Sequence, residues 1–299
     1  MSRKTKKKIQ NIITVIVIIF TIYTFVTEFM KESRAQMPPE NVINEKLEGE
    51  MVIHYIDVGQ GDATFVELPN NETLLIDAGE VSKEKLVIDY ISRLGYKKIN
   101  YVIGTHPHVD HIGGLAGVIN HFDIDHVYMP KVSTNTKIFE DLLLTIKNKN
   151  LKIEKAFANV YVTSYENFSM YFVAPNSEEY VDLNNYSAVL KIDYKDKSFL
   201  FMADAEKISE DEIKSDIKSD VIKIAHHGSA YSSSPGFVTR VKASYVIISV
   251  GENNQYNLPS KLILTRWEKS GAKIYRTDKN GNIIVKTDGQ NISIKTERE

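Results

Sequence analysis

The sequence has 299 residues, of which 42% are apolar and 25% charged. These values are typical of globular domains and exclude a wholly disordered chain or a polytopic membrane protein. The sequence contains no cysteine, so disulfides, thiolate zinc sites and cysteine nucleophiles are excluded and any metal must be bound by His, Asp or Glu. Residues 1–36 are basic, whereas the remainder carries 30 basic and 37 acidic residues. Composition therefore gives no support to tight non-specific DNA binding.

The amino terminus combines a basic tail, residues 1–8, with a long apolar run over residues 9–30. A helix of this length spans about 33 Å, which is enough for the ~30 Å hydrocarbon layer of a membrane. The positive-inside rule predicts a single-pass signal anchor, with its N-terminus cytoplasmic and the rest of the chain extracellular. The alternative is a signal peptide whose cleavage releases a secreted protein. Residues 31–50 are predicted to form an exposed linker.

From residue 51 to the end, the pattern predicts one domain of short strands with helices between them. The expected strands lie at residues 52–58, 63–68, 73–77, 101–104, 127–129, 187–194, 199–202, 221–225, 244–250, 273–275, 283–285 and 292–295. The expected helices lie at residues 81–94, 112–121, 138–147 and 260–269. Runs of strands interspersed with helices predict two sheets with helices outside, in the α/β (α+β) class.

Three of the eight histidines fall within six residues, directly after the strand predicted at residues 101–104. In a loop entered from a strand, His106 and His108 point one way, while Asp110 and His111 reach a neighbouring point across the turn. This spacing suits two adjacent metal ions, and without a cation such close polar groups would repel or need solvation. Imidazole with carboxylate favours Zn²⁺, with Mn²⁺ or Fe²⁺ as alternatives where oxygens are many. The remaining isolated histidines are ordinary surface or core residues in this interpretation.

Residues 105–114 read T-H-P-H-V-D-H-I-G-G and resemble the metal loop of the metallo-β-lactamase superfamily. The nearest branch by motif is the extracellular domain of the ComEC DNA-uptake competence proteins. Further motifs follow in the family's order: D-V-G-Q-G-D-A at 57–63, L-I-D-A-G at 75–79, N-N-Y-S at 184–187, F-M-A-D at 201–204 and I-A-H-H-G-S at 224–229. The resemblance covers roughly residues 51–287 and implies the αββα sandwich of that family. The multi-helix ComEC channel has no counterpart here, so the chain is not expected to import DNA by itself.

The resemblance also implies a set of metal ligands. The first metal would lie on His106, His108 and Asp204, and the second on Asp110, His111, Asp204 and His227, with Asp204 as the bridge. Of the histidine pair, His227 is favoured as the ligand and His226 as the group that stabilises negative charge on the substrate, although the reverse stays open.

Two positions depart from the family pattern. Asn184 and Asn185 stand where many members supply a third histidine, so the first metal is expected to be more open. The segment Y-N-L-P at residues 256–259 lacks the histidine of the family's Y-x-H-P, which puts a substrate role of that loop in doubt.

A metal pair of this kind would lower the pKa of a bridging water and clamp a phosphoryl or carbonyl oxygen, so hydrolysis is the expected reaction. Asp110 is expected to orient the water, and His226 or a metal-bound water to protonate the leaving group. Candidates for groups that orient the ligands or contact the substrate are Asp57, Asp62, Asp77, Asn185 and Ser229. The alternative for the three carboxylates is the capping of backbone amides in turns, and for the serine an ordinary solvated loop.

The leading hypothesis is a membrane-anchored, extracytoplasmic, dinuclear metal-dependent hydrolase of phosphodiesters, with nucleic acid or a cell-envelope phosphodiester as substrate. One alternative is a lactone or amide hydrolase of the β-lactamase type. The other is a non-catalytic binding module that uses its metal pair to grip an anionic ligand. Protein partners and oligomeric state are open at this point.

Overall fold

The computed structural model describes residues 13–14, 16–27 and 46–299. The chain divides into two compact units at residues 37 and 38. Within the described ranges, the first unit contains helix α1, residues 13–14 and 16–27. No helix in these ranges is both long and apolar enough to cross a membrane. The predicted basic tail, both ends of the predicted apolar run and the predicted linker up to residue 45 lie outside the described residues.

The second unit is built from short strands and helices. Its strands are β1 (Met51–Tyr55), β2 (Thr64–Glu67), β3 (Thr73–Ile76), β4 (Lys98–Ile103), β5 (Asp123–Met129), β6 (Ile153–Lys155), β7 (Tyr161–Tyr165), β8 (Phe168–Ala174), β9 (Val189–Tyr194), β10 (Lys197–Phe201), β11 (Val221–Lys223), β12 (Tyr245–Ile248), β13 (Lys273–Arg276), β14 (Ile283–Thr287) and β15 (Ile292–Thr296). Its helices are α2 (Glu84–Arg93), α3 (Val109–Ile112), α4 (Leu115–His121), α5 (Lys137–Asn148), α6 (Lys207–Glu212), α7 (Pro235–Val241), α8 (Lys261–Lys269) and α9 (Thr277–Asn280).

The strands form two sheets. The eight-stranded sheet has the order β15-β14-β1-β2-β3-β4-β5-β6, and the seven-stranded sheet has the order β13-β12-β11-β10-β9-β8-β7. Apolar side chains from both sheets share one buried core, in which the rings of Tyr55 and Phe201 stack with centroids 6.2 Å apart. Helices α2, α4 and α5 cover the outer face of the first sheet, and α7 and α8 cover that of the second. The predicted α/β architecture of two sheets with helices outside is confirmed.

The differences from prediction lie in particular elements. Strands β6, β7 and β8, residues 153–174, were absent from the predicted set. The helix predicted at residues 112–121 is two helices, and α3 begins at Val109, so Asp110 and His111 are helical rather than in a loop. Two glycines separate these helices and allow close packing on the segment after β3, because a Cβ at Gly114 would lie 2.4 Å from the carbonyl oxygen of Ala78.

The sheets bring distant chain segments to one edge. Strands β3 and β4 are parallel to each other, as are β10, β11 and β12. The carboxyl ends of parallel strands meet at the same edge of a sheet, and this edge is the usual place for ligands in α/β proteins. The segments that leave these ends carry Asp77, Thr105 and His106 in the first sheet and Asp204 and His227 in the second.

Candidate metal centre

His106 and His108 face each other in the loop that follows β4. The His106 side chain is fully buried, and its Nδ1 lies 3.1 Å from Thr105 Oγ1 and 3.5 Å from Ser187 Oγ. Its Nε2 lies 3.0 Å from Nδ1 of His108. The two hydroxyl groups hold the ring so that Nε2 points toward His108. Two ring nitrogens at this separation either share a proton or face a common cation.

His111 is oriented from behind by Asp77. Nδ1 of His111 donates to Oδ2 of Asp77 over 2.8 Å, and the same carboxylate accepts from the backbone N–H of Thr105 at 2.9 Å and from its hydroxyl at 2.6 Å. Both side chains are fully buried. This contact directs Nε2 of His111 toward Asp204, whose Oδ1 lies 3.3 Å away. Asp77 therefore contacts a predicted ligand in the way expected of an orienting group.

Asp204 lies among histidines that come from different parts of the chain. Its Oδ2 lies 3.9 Å from Nε2 of His106 and 3.7 Å from Nε2 of His227, in addition to the contact with His111. The backbone N–H of Asp204 donates to Ser187 Oγ at 3.1 Å. This serine thus supports both His106 and Asp204, and the carboxylate occupies the position that a bridging ligand would need.

His227 is fixed by a backbone carbonyl. Its Nδ1 donates to the oxygen of Ser249 over 2.9 Å, and its Nε2 lies 3.2 Å from Oδ2 of Asp110. The neighbouring glycine-rich turn allows Asp110 to approach, because a Cβ at Gly61, whose φ is +131°, would lie 2.3 Å from the Asp110 carbonyl oxygen. The residue at position 61 must therefore lack a side chain.

The donor atoms fit divalent cations. Ligand atoms of His106, His111 and Asp204 lie within 4.8 Å of one another, as do those of Asp110, His111 and His227. Two buried atoms that face each other, His111 Nε2 and Asp204 Oδ1, have no hydrogen-bond partner. With Nδ1 of His111 and of His227 donating, a neutral imidazole presents a lone pair to the carboxylates, and this repulsion is relieved by a cation. Imidazole and carboxylate donors suit Zn²⁺, Mn²⁺ and Fe²⁺.

The pKa values express the same demand for positive charge. Burial opposes protonation of His111, but the carboxylates of Asp204, Asp62 and Asp77 outweigh burial and raise its pKa well above the usual value. Burial would raise the pKa of Asp204, yet His111 and His227 hold it well below its usual range. Burial, together with the neighbouring His111, lowers the pKa of His106. At neutral pH the carboxylate is therefore ionised and His106 neutral, which is the state that binds metal.

A third group of close donors consists of Asp62, Asp77 and His111, and a lysine lies beside it. Lys223 on β11 is buried, its Nζ donates to Oδ2 of Asp62, and it lies 3.4 Å from the carbonyl oxygen of Ala203. The ammonium group supplies the positive charge that this group of donors needs. Sequence reasoning missed Lys223, although a lysine inside the apolar run V-I-K-I-A, immediately before H-H-G-S, was a usable signal.

Two pairs of identical neighbours, His226–His227 and Asn184–Asn185, have members with different surroundings. His227 is buried among the carboxylates, whereas the side chain of His226 is 24% exposed, with Nδ1 at 3.2 Å from Glu206 Oε1 and Nε2 at 3.9 Å from Asp204 Oδ2. Asn184 lines the pocket over the site. Asn185 instead accepts from the backbone N–H of Ser209 at 3.3 Å and so holds helix α6.

Of the remaining predicted residues, some lie near the predicted ligands and one lies at a turn away from them. Ser229 lines the pocket beside His226. Asp57 lies at a turn, where it accepts from the Gly59 N–H at 3.1 Å and pairs with Arg298 at 2.7 Å. That arrangement matches the turn-capping alternative for Asp57. Asp62 lies beside the histidines, with Oδ1 3.6 Å from Nδ1 of His227.

A pocket of about 460 Å³ opens over the donor atoms. Its lining includes His108, Asp110, Asp204, His226 and His227. A ligand in this pocket would therefore contact the predicted metal ligands directly.

The chain is also similar in sequence to known proteins. The chain matches the family model described as Metallo-beta-lactamase superfamily over residues 56–250. It is 28% identical over 257 residues to ComE operon protein 3 of Bacillus subtilis. The matched region covers 79% of this chain and 33% of that protein. It is 24% identical over 239 residues to competence protein ComA of Neisseria gonorrhoeae, with 78% of this chain and 32% of that protein covered. The predicted resemblance to the competence branch is confirmed.

A solved structure named as a hydroxylase shares the fold. CmlA, a diiron beta-hydroxylase from Streptomyces venezuelae, aligns with a TM-score of 0.53 at 16% identity, covering 78% of this chain and 53% of that chain. Such a likeness shows the fold alone. The chain spans about a third of the length of the two competence relatives, so their whole-protein activities do not transfer directly.

Proposed function

The chain belongs to the metallo-beta-lactamase superfamily, and from that premise we propose that it is a dinuclear metal-dependent hydrolase of phosphodiesters. The observation that carries the proposal is the position of Asp204, within 3.9 Å of the ring nitrogens of His106, His111 and His227. One cation, Zn²⁺ or Mn²⁺, would be held by His106, His108 and Asp204. The other would be held by Asp110, His111, Asp204 and His227.

Bound divalent cations would polarise a phosphoryl oxygen and make a water molecule acidic enough to attack at neutral pH. The chain's own residues prepare that chemistry. Asp77 and the Ser249 carbonyl fix the rings of His111 and His227, so the Nε2 atoms keep their direction without reorganisation. The carboxylate of Asp110 lines the pocket and can accept a hydrogen bond from the attacking water.

His226 has the position of a proton donor to the leaving group. Its side chain reaches the pocket from the side of Glu206 and is partly open to solvent. In its protonated form it can stabilise negative charge on the substrate and give its proton to the departing oxygen. Water then adds to phosphorus, the ester bond breaks, and the products are a phosphomonoester and an alcohol.

The resemblance to the DNA-uptake competence branch supports a phosphodiester rather than a lactone or amide. In the proposed topology, the N-terminal segment is a single-pass anchor and the hydrolase unit lies outside the cell. The alternative is a cleaved signal peptide. External protease added to intact cells that produce the C-terminally tagged chain tests this topology. Loss of the tag supports the proposed orientation, whereas full protection contradicts it.

The test of the activity uses the full-length protein loaded with Zn²⁺ or Mn²⁺ and bis(p-nitrophenyl) phosphate as substrate. We expect turnover that is lost in His108→Ala and retained in His126→Ala, since His126 lies on the surface and contacts Glu154. A lactone and a β-lactam are assayed in parallel. Phosphodiester turnover no higher than that of His108→Ala would contradict the proposal, and preferential lactone or β-lactam turnover would assign the alternative reaction.

A further inference from the structure

The pocket over the donor atoms has an aromatic and apolar rim. We infer that its substrate is a small phosphodiester with a single negative charge and a planar aromatic substituent, and that Tyr231 and Tyr256 bind this substituent. The inference rests on the proposed function, because it names the substrate class of the same site. The carrying observation is that both tyrosines line the pocket that contains Asp110, Asp204 and His227 while remaining largely exposed.

The exposure of these side chains is unusual for their size. Tyr231 is 74% exposed and Tyr256 is 60% exposed, and Val109, at 43%, lines the same pocket. Leu258 adds a further apolar side chain, at the position where the family motif has a histidine. An exposed apolar patch beside a few convergent polar groups is typical of a ligand site. The Y-N-L-P loop therefore contributes an apolar surface in place of an imidazole.

Hydrogen bonds to backbone groups fix the loops that carry both tyrosines. The side-chain oxygen of Asn254 accepts from the N–H groups of Tyr256 and Leu258 at 3.2 and 3.0 Å, and its amide nitrogen donates to the carbonyl of Leu258 at 2.8 Å. The N–H of Tyr231 donates to Ser229 Oγ at 3.4 Å, and its carbonyl accepts from the N–H of Lys207 at 3.1 Å. Because hydrogen bonds fix these loops, a tyrosine that stacks on a substrate loses little additional backbone entropy.

The charge of the pocket argues against a nucleic-acid strand as the substrate. Among the residues that the structure describes, neither lysine nor arginine lines this pocket, and its carboxylates are those of Asp110 and Asp204. A nucleic-acid strand brings further phosphates on either side of the reacting one, and proteins that bind such strands neutralise them with cationic side chains. A monoanionic diester needs positive charge at one point only, where the metal ligands converge.

The test is a binding measurement by calorimetry on the zinc-loaded full-length protein. The probes are diphenyl phosphate, dimethyl phosphate and a ten-nucleotide oligothymidylate. Base stacking on an aromatic side chain typically strengthens binding by about tenfold or more, so we expect diphenyl phosphate to bind at least about tenfold more tightly than dimethyl phosphate. Tyr231→Ala and Tyr256→Ala should each reduce this ratio, and the double variant should reduce it further.

Three control variants separate stacking from other effects. Tyr231→Phe and Tyr256→Phe should retain the ratio, because stacking needs the ring and not the hydroxyl group. Tyr161→Ala should also retain it, since Tyr161 is 58% exposed but lies on β7 and does not line the pocket. Ring-dependent binding of diphenyl phosphate without hydrolysis of bis(p-nitrophenyl) phosphate would support the aromatic subsite and contradict the proposed reaction.

Three results would overturn the inference. The first is a ratio that the double alanine variant leaves unchanged. The second is no measurable binding of diphenyl phosphate by the zinc-loaded protein. The third is tyrosine-dependent binding of the oligothymidylate that is tighter than that of diphenyl phosphate at physiological salt, which would assign the rim to a nucleic-acid strand.

Discussion

Lys223 Nζ donates a hydrogen bond to Asp62 Oδ2 in the interior, although 161 positions separate the two residues. The side chains are only 3% and 4% exposed. Asp62 Oδ2 also lies 3.7 Å from Nδ1 of His111. The lysine therefore neutralises a carboxylate that lies directly behind the predicted ligands, on the side away from the pocket.

Removal of this ammonium group should destabilise the protein strongly. Lys223→Met leaves Asp62 buried without its partner, and breaking a buried pair in this way typically costs about 3–5 kcal/mol. We expect a loss of this size in the free energy of unfolding, measured by urea denaturation, with partial recovery in Lys223→Met/Asp62→Asn. The matched control is Lys98→Met, whose partner Asp125 is exposed and whose loss should cost less than about 1 kcal/mol. Equal effects at both lysines would contradict this assignment.

Asp77 should control metal affinity through His111. Asp77→Asn weakens the acceptor that fixes the His111 ring, and loss of such a contact typically lowers metal affinity about 10–100-fold. Competition with a chromophoric zinc chelator measures the effect. Asp57→Asn is the control, because Asp57 contacts the Gly59 turn and Arg298, and it should leave zinc affinity unchanged. A larger loss in the Asp57 variant would reverse the roles given to the two carboxylates.

Metal content should depend on Asp204 more than on any single histidine. Asp204 approaches the imidazoles of His106, His111 and His227, which belong to both proposed cations, so Asp204→Ala removes a donor from both. We expect metal analysis of the purified variant to give fewer than one ion per chain, against about two for the unaltered chain and for His126→Ala. Two ions retained in Asp204→Ala would exclude a bridging role.

Zinc should stabilise the protein more at high pH than at low pH. The pKa of His111 is raised well above its usual value and that of His227 is also raised. In chelator-treated protein, the stability that these protonated rings contribute is complete below about 6.5 and is lost as the pH rises through their raised pKa values. Zinc replaces those protons, so the stabilisation by zinc increases over the same pH range.

Thermal unfolding with and without zinc, at intervals from pH 6 to pH 8, measures this dependence. The Tm of the chelator-treated protein should fall across the range, and the increase in Tm on adding zinc should widen. An increase that is constant or that narrows toward pH 8 would show that zinc does not compete with protons at these rings.

Much of the secondary structure could be predicted, since local patterns determine it. The hairpin predicted at residues 63–68 and 73–77 is β2 and β3, because two short apolar runs flank a Pro-Asn-Asn turn. Strands β6 and β7 escaped prediction because they are half exposed and carry few apolar residues. The start of α3 at Val109 was missed because the helix is only four residues long and is tied to a distant segment, where the carbonyl of His111 accepts from the N–H of Ala78 at 2.8 Å.

By itself the sequence determined the chemistry of the site. The absence of cysteine restricts the ligands to histidine and carboxylate, and the short spacing of residues 106–111 brings four of them together by local geometry alone. Tertiary structure alone decided which distant residues join them. The two sheets bring Asp204, His227 and Lys223 to the same edge, and that placement depends on strand register rather than on neighbours in the chain. It also gave His226 and His227 different surroundings, because consecutive residues in a turn point in different directions, and packing of the backbone selects which one is buried.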